Sequence, residues 1–226
     1  MKIKIVDIET IPEQACTVKP EFDPSSVKHG NTKDPDKRQA KEDKERTAFE
    51  DSLTKKMSLH PDLCEVVCVV GMLFDTSSKE TTETIMIGEE SSIIESAWGF
   101  IGEPRVDCPL VTFNGIGFDL PVLFHRAMSL GIPVKGTAYR ELTSSSRYHP
   151  STLHYDIMQI MAGWDKQRWE SLNFYLKKFG LPEKTQQGGA VFEMWKKGEV
   201  DAIAEYCKHD VLSTANLFAR LEDWIA

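Results

Sequence analysis

Residues 1–12 read MKIKIVDIETIP. The apolar residues from Ile3 to Ile8 predict a buried β-strand, and this strand carries two carboxylates, Asp7 and Glu9. Side chains two positions apart on a strand point to the same side, so the two acids lie close together and repel each other. A hard cation such as Mg2+ or Mn2+ between them would offset the repulsion. For such a pair taken alone, an edge strand with both acids in water is the better interpretation, and the rest of the chain has to decide.

The composition is typical of a globular protein. Of the 226 residues, 41% are hydrophobic and 27% are charged, which is enough to bury the core of one α/β domain over residues 1–226. No apolar run reaches the ~20 residues of a membrane span and no signal-peptide pattern is present, so we expect no membrane partner. The five scattered cysteines are an odd number, which argues against a disulfide framework and predicts a reducing compartment, the cytoplasm.

The net charge of −8 argues against a protein that coats nucleic acid through phosphate contacts alone, because such proteins are basic. A sequence-specific DNA-binding protein is disfavoured too, because the chain has no basic recognition helix. An enzyme that binds a few nucleotides through metal ions is not excluded, because the ions supply the positive charge.

The composition changes after Pro12. Residues 13–60 are polar and densely charged, with a loop predicted over 20–31 and a helix over 34–57. Because this helix has few apolar residues, we expect an exposed, mostly solvated arm inserted after the first strand. A basic run there is a candidate guide for a nucleic-acid strand, but ion pairs on a solvated helix explain it better; the run is Lys28, Lys33, Lys37, Arg38 and Lys41.

The remaining pattern predicts strands over 63–74, 81–87, 110–113 and 153–157. Helices are expected over 91–101, 119–130, 171–179 and 200–224, and the strand at 153–157 is expected to run into a helix that continues to Met161. A loop is expected over 139–150 and a flexible break at Gly188 and Gly189. Three strands followed by alternating helices and strands predict an α/β mixed sheet flanked by helices, in which an antiparallel meander of three strands is joined by parallel strands.

Two later stretches offer partners for the first pair of acids. In FNGIGFDL (113–120), a turn containing glycine places Asp119 where a helix begins. That position favours a carboxylate or a bound phosphate, and an ordinary N-cap is an equal alternative. In EYCKHDV (205–211), Tyr206 and Asp210 are four residues apart and share one face of the last helix. Each of these two residues alone is weak evidence, because a solvated acid or a core aromatic explains it.

Together, the three motifs resemble those of the DEDD superfamily of exonucleases. The chain is most similar to stand-alone relatives of the 3′–5′ proofreading exonuclease domain of family B DNA polymerases. The resemblance includes the HYDIM stretch around Asp156, the LKKFGLP turn, and Lys184 followed by the Gly188–Gly189 pair, with no role implied for Lys184. Tyr206 occupies the position that defines the tyrosine branch, whereas Glu205 occupies the histidine-branch position. The resemblance implies a ribonuclease-H-like fold, with the charged segment at about 13–60 as a partly helical insertion.

The resemblance also implies a two-metal chemistry. Four acids would hold two Mg2+ or Mn2+ ions about 3.5–4 Å apart: Asp7, Glu9, Asp119 and Asp210. In this arrangement Asp7 bridges both ions, and a bound water is activated for attack on the scissile phosphate. Because the ordinary pKa of a tyrosine is about 10, Tyr206 is expected to orient the water or the phosphate rather than to act as a base.

By the same resemblance, three residues are candidates for binding the substrate strand: Thr10, Ile11 and Asn114. Phe118 is a fourth candidate, because an aromatic ring can stack on a base, although core packing explains this residue better. The predicted function is a 3′–5′ exonuclease that acts on the 3′ end of single-stranded DNA and releases nucleoside 5′-monophosphates. Replication or repair proteins acting in trans are candidate partners. An exoribonuclease is the first alternative, because the sequence shows no contact to a 2′-hydroxyl. A non-catalytic nucleic-acid-binding module is the second, and the presence of all four acids and the tyrosine disfavours it.

Overall fold

The computed structural model describes residues 1–32, 34–184 and 191–226. Its centre is a five-stranded sheet in the order β3-β2-β1-β4-β5. The strands are β1 (Lys2–Pro12), β2 (Cys64–Asp75), β3 (Thr81–Ile87), β4 (Leu110–Thr112) and β5 (His154–Asp156). The first three form an antiparallel meander, β4 lies parallel to β1, and β5 lies parallel to β4. This is the mixed α/β sheet that the sequence predicts.

Eight α-helices lie in the described residues and flank the sheet. They are α1 (Pro35–Ser58), α2 (Glu90–Ile101), α3 (Asp119–Ser129), α4 (Gly136–Thr143), α5 (Ile157–Ala162), α6 (Leu172–Lys178), α7 (Val191–Lys196) and α8 (Val200–Ile225). None of them is both long enough and apolar enough to span a lipid bilayer. The predicted break at Gly188 and Gly189 lies outside the described residues.

The central strand β1 separates two layers of core. Ile3 and Ile5 are fully buried on the face that α8 covers, whereas Val6 and Ile8 are buried on the other face, with α2 and α3. This alternation follows from the two-residue period of a strand. Each layer is therefore built from one half of the apolar residues of the same strand.

The insertion differs from the predicted solvated arm at its C-terminal end. The first turns of α1 are exposed, but Leu53 and Met57 are 7% and 2% exposed. The Thr10 hydroxyl donates a 2.5 Å hydrogen bond to the backbone carbonyl of Ser58, which fastens the end of α1 to β1. The prediction of an exposed helix is thus correct for the start of α1 and wrong for its end.

An ion-pair network connects the start of the insertion to two helices. The guanidinium of Arg126 on α3 is 5% exposed and donates to Glu13 at 2.8 Å and to Glu90 at 2.6 and 2.8 Å. A buried charge needs such partners, because an unpaired one is costly to desolvate. Both ends of the 13–60 segment are therefore attached to the body of the protein.

Two helices are not expected from the sequence. Residues 136–143 form α4, whereas a loop was predicted from residue 139, and α7 was not predicted. In α4 only Ala138 and Leu142 are buried, which gives a short amphipathic face of one turn. Such a short pattern is too weak to be recognised without the neighbouring elements it packs against.

Candidate active site

The first two acids lie on the central strand and face α8. Asp7 pairs with Val70 and Glu9 with Cys68 of β2, so both acids continue the face that carries Ile3 and Ile5. A carboxylate oxygen of Asp7, one of Glu9 and the sulfur of Cys207 all lie within 4.8 Å of one another. The strand therefore directs two carboxylates into the layer between the sheet and α8, as the two-residue spacing predicts.

Helix α8 brings the third motif to the same place. Its apolar residues, among them Ile203 and Val211, are buried against the sheet, and Tyr206 and Asp210 lie on the buried side with 7% and 9% of their surface exposed. Cys207 holds α8 close to β1, because its thiol donates a hydrogen bond to the backbone carbonyl of Asp7 at 3.3 Å.

Asp119 reaches the site through a tightly held turn between β4 and α3. The Asp156 carboxylate accepts backbone N–H bonds from Asn114 at 3.0 Å and Ile116 at 2.9 Å, and the Thr112 hydroxyl accepts one from Gly115 at 3.1 Å. A side chain at position 115 would place its Cβ 2.3 Å from that hydroxyl oxygen, so only glycine fits.

The sequence did not identify the role of Thr112 in this turn. Its hydroxyl also lies 2.8 Å from Nε2 of His154, whose Nδ1 lies 2.6 Å from the backbone carbonyl of Leu142. The HYDIM stretch thus supplies two buried groups, His154 and Asp156, that hold the turn from the neighbouring strand β5. The N–H bonds to Asp156 agree with a supporting role for this acid.

The four acids of the predicted site have raised pKa values. Burial is the largest cause for each of them, and repulsion from neighbouring carboxylates adds to it for Asp7, Glu9 and Asp119. Burial raises the pKa of Asp119 to about 7, with contributions from Asp156 and Asp210 and with backbone N–H groups acting in the opposite direction. Negative charge is therefore concentrated here with too little positive charge to balance it.

Lys184 supplies part of that balance and was not among the predicted site residues. Its ammonium group donates to a carboxylate oxygen of Asp210 and, at 3.3 Å, to the Tyr206 hydroxyl. It lowers the pKa values of Asp7, Glu9 and Asp210, although burial outweighs it in each case. A lysine in a loop carries no periodic signal; its only sequence signal was its place after the LKKFGLP turn.

The donor set fits divalent metal ions of the hard type. Oδ1 of Asp119 and Oδ1 of Asp210 are buried without a hydrogen-bond partner in the described part of the chain. Buried acceptors are normally paired, and a carboxylate oxygen left free beside other carboxylates suits Mg2+ or Mn2+. The thiol of Cys207 is not part of this set, because burial raises its pKa well above the ordinary value and keeps it a donor to Asp7.

The four predicted substrate-binding residues lie in three different environments. Thr10 and Phe118 line a cavity beside Glu9, and Thr10 uses its hydroxyl to bind α1. Asn114 lies in the turn before Asp119 with a backbone φ of 72°, and its side-chain oxygen is buried without a hydrogen-bond partner among the described residues. Ile11 is fully buried in the core layer under α8 and does not line the cavity.

A family of known proteins matches most of this chain. A family model described as "Predicted 3'-5' exonuclease related to the exonuclease domain of PolB" matches residues 57–225, about three quarters of the chain. The match begins after the strand that carries Asp7 and Glu9, so these two acids lie outside the matched residues and the structure places them beside the matched motifs. No curated protein matches the chain significantly.

One solved structure supports the fold. The family B DNA polymerase of Pyrobaculum calidifontis aligns with a TM-score of 0.54 and 16% identity, over 98% of this chain and 24% of the polymerase. Exonuclease I aligns with a TM-score of 0.45 and 12% identity, over 98% of this chain and 41% of that one. The chain thus spans about a quarter of the polymerase and less than half of exonuclease I. Because the family model matches about three quarters of the chain, this chain belongs to the 3′–5′ exonucleases related to the exonuclease domain of family B DNA polymerases.

Proposed function

We propose that the enzyme removes nucleotides from the 3′ end of single-stranded DNA and releases nucleoside 5′-monophosphates. The observation that supports this most is the convergence of four acids and one tyrosine, from three distant parts of the chain, at one face of β1. The unpartnered oxygens of Asp119 and Asp210 and the raised pKa values support a site that needs cations to be complete.

Two divalent ions would be held by Asp7, Glu9, Asp119 and Asp210. When bound, such ions lower the pKa of a coordinated water and stabilise the charge that develops on the leaving oxygen. The protein itself orients the acids: β1 fixes two of them, the turn held by Asp156 fixes the third, and α8 fixes the last. This preorganised arrangement is what a phosphodiester hydrolase requires at the reacting phosphate.

Tyr206 has the properties of a hydrogen-bond donor rather than a base. Burial and the nearby carboxylates of Asp210, Glu9 and Asp7 raise the pKa of its hydroxyl far above the ordinary value. The phenol therefore stays protonated near neutral pH, and its O–H can orient a water or a phosphate oxygen. Lys184, within 3.3 Å of that hydroxyl, adds a positive charge beside it.

A time course on matched 3′- and 5′-labelled DNA and RNA oligonucleotides tests the proposal. With Mg2+ or Mn2+, the wild-type protein should shorten single-stranded DNA from the 3′ end, and excess chelator should stop the reaction. Asp7→Ala and Asp210→Ala should abolish release, while Asp223→Ala, an exposed acid near the end of α8, should not. The metal site is refuted if activity survives excess chelator, or if Asp7→Ala and Asp210→Ala are as active as the control Asp223→Ala. Faster cleavage of RNA than of DNA refutes the choice of substrate.

A further inference from the structure

Strand β3 forms one edge of the sheet, and its outer side is open. The strand pairs with β2 in one continuous antiparallel register, without a bulge. Within the described residues, the backbone of 81–87 makes no hydrogen bond outside its ladder with β2. The amide and carbonyl groups that point away from β2 are therefore available to pair with another strand.

Strand β3 lacks the features by which proteins usually protect an exposed edge. Such edges are blocked by lysine or proline, by a bulge, or by being very short. The sequence of β3, TTETIMI, contains neither proline nor lysine, and the strand is longer than the average of about 5–6 residues. Its one charged residue is Glu83, whose carboxylate pairs with the ammonium group of Lys208 on α8 at 2.8 Å. The side chains of this edge therefore carry no net charge that would repel another strand.

Two isoleucines at this edge are only partly covered. Ile85 and Ile87 pair with Val70 and Cys68 of β2, so they lie on the face of the sheet that α8 covers. They are 44% and 42% exposed, because α8 lies over β1 and β2 and contacts little of β3. Burying apolar surface stabilises an assembly by about 25 cal/mol for each Å2 removed from water. A strand added to β3 would bury these two side chains as well as pair the backbone.

The residues of β3 are complementary to those of a second copy. A two-fold axis at Thr84 pairs all seven residues antiparallel, with the same face of each sheet on the same side. The pairs in this register are Thr81 with Ile87, Thr82 with Met86, Glu83 with Ile85, and Thr84 with its own counterpart. No charged residue is opposite one of the same sign, and paired threonines are favourable across strands.

The cavities of the protein favour a second copy over a peptide from another protein. Peptides that add to a sheet edge are selected through pockets for their alternate side chains. None of the four main cavities along the described residues is lined by a residue of β3. The edge therefore offers backbone pairing and apolar contact, which a second copy of the same strand supplies in return.

We propose that the protein forms a homodimer in which the β3 strands of two copies pair antiparallel and join the two sheets into one sheet of ten strands. The two-fold axis is perpendicular to this sheet, so both α8 helices and both acid clusters lie on the same face. Because strands lie about 4.8 Å apart, the two β1 strands are about 24 Å apart. Asp7 lies on the third strand from the paired edge, so both sites stay open.

Size-exclusion chromatography with light scattering tests the dimer. We expect the wild type to have twice the 25.6 kDa mass of the chain at about 100 µM. Ile85→Lys places an ammonium group at the edge and should raise the dimer dissociation constant at least about tenfold, with thermal unfolding unchanged. Val106→Lys makes a similar change at a residue that is 64% exposed and outside the sheet, and should leave the dimer intact. A wild type that is monomeric at about 100 µM, or an Ile85→Lys protein that dimerises like the wild type, overturns the inference.

Hydrogen exchange on the wild type locates the interface and remains informative if Ile85→Lys does not fold. Amides of alternate residues in 81–87 should exchange at least about tenfold more slowly at about 100 µM than in a sample diluted below the dissociation constant. Unchanged exchange of these amides in a protein that dimerises places the contact elsewhere and overturns the inference. None of these measurements uses nuclease activity, so their result is independent of the proposed function.

Discussion

Replacing Asp119 by Asn should stabilise the metal-free protein, and the gain should depend on pH. Asp119 is 3% exposed, and burial raises its pKa from 3.8 to about 7. At 1.36 kcal/mol for each pH unit, this difference corresponds to about 4 kcal/mol of destabilisation once the group is ionised. The asparagine amide must also lose its water, so we expect a net gain of about 2–4 kcal/mol in the free energy of unfolding.

The sign follows from proton binding. Folded Asp119 holds its proton more tightly than the unfolded chain does, so the stability of the wild type falls as pH rises from about 3.8 to about 7 and this contribution is constant above. The Asn variant does not lose this stability, because asparagine has no group that ionises. The difference in the free energy of unfolding between the Asn variant and the wild type should therefore be close to zero near pH 3.8 and largest above about pH 7.

Urea unfolding in excess chelator, at pH values from about 4 to about 8, measures this difference. Asp223→Asn, an exposed acid near the end of α8, is the matched control and should change stability by no more than about 0.5 kcal/mol. Added Mn2+ should then stabilise the wild type more than the Asn variant. A difference that does not vary with pH, or an Asn variant that is less stable at high pH, refutes the reasoning.

Three further substitutions test other parts of the structure. Arg126→Ala should cost about 3–5 kcal/mol in urea unfolding because it leaves two glutamates without their partner, whereas Arg105→Ala, from an exposed pair, should cost less than about 1 kcal/mol; equal costs would contradict this. Gly115→Ala should cost about 1–3 kcal/mol and lower kcat, because its Cβ would lie 2.3 Å from the Thr112 hydroxyl; a fully active, equally stable variant would show that the turn adapts. Tyr206→Phe should lower kcat on the order of 100-fold while calorimetry shows unchanged metal binding, and a loss of metal would mean that the hydroxyl is needed for the ions.

The sequence predicted the parts of the fold whose cause is local. The strand at Ile3–Ile8, the strand and hairpin that follow the insertion, and the last helix all have long periodic patterns, and the structure has them close to the predicted bounds. Helix α4, with Ala138 and Leu142 as its buried residues, was missed because its pattern covers a single turn. The docking of α1 was missed because Leu53 and Met57 are two apolar residues in a charged helix, and only the partner surface shows that they are buried.

The residues of the candidate site also divide into those with a local sequence signal and those whose role depends on distant residues. The spacing on β1 and α8 predicted which side chains share a face, and the resemblance to the exonuclease motifs predicted that these acids form one site. The roles of Lys184 and Thr112 could not be predicted, because they depend on contacts with residues far along the chain, Asp210 in one case and His154 in the other. Long-range hydrogen bonds leave no pattern in the local sequence.

The position of the acids would link the proposed metal binding to folding. Ile3 and Ile5 show that the face of β1 toward α8 is a core face, and Asp7 and Glu9 occupy the next two positions on it. Apolar residues there would stabilise the fold, whereas carboxylates destabilise it through burial and mutual repulsion. A cation that offsets this repulsion binds the folded state alone, because the unfolded chain does not bring Asp210 near β1. The same residues that weaken the metal-free fold would therefore create the proposed affinity for metal, and a substitution that removes the repulsion should remove that affinity as well.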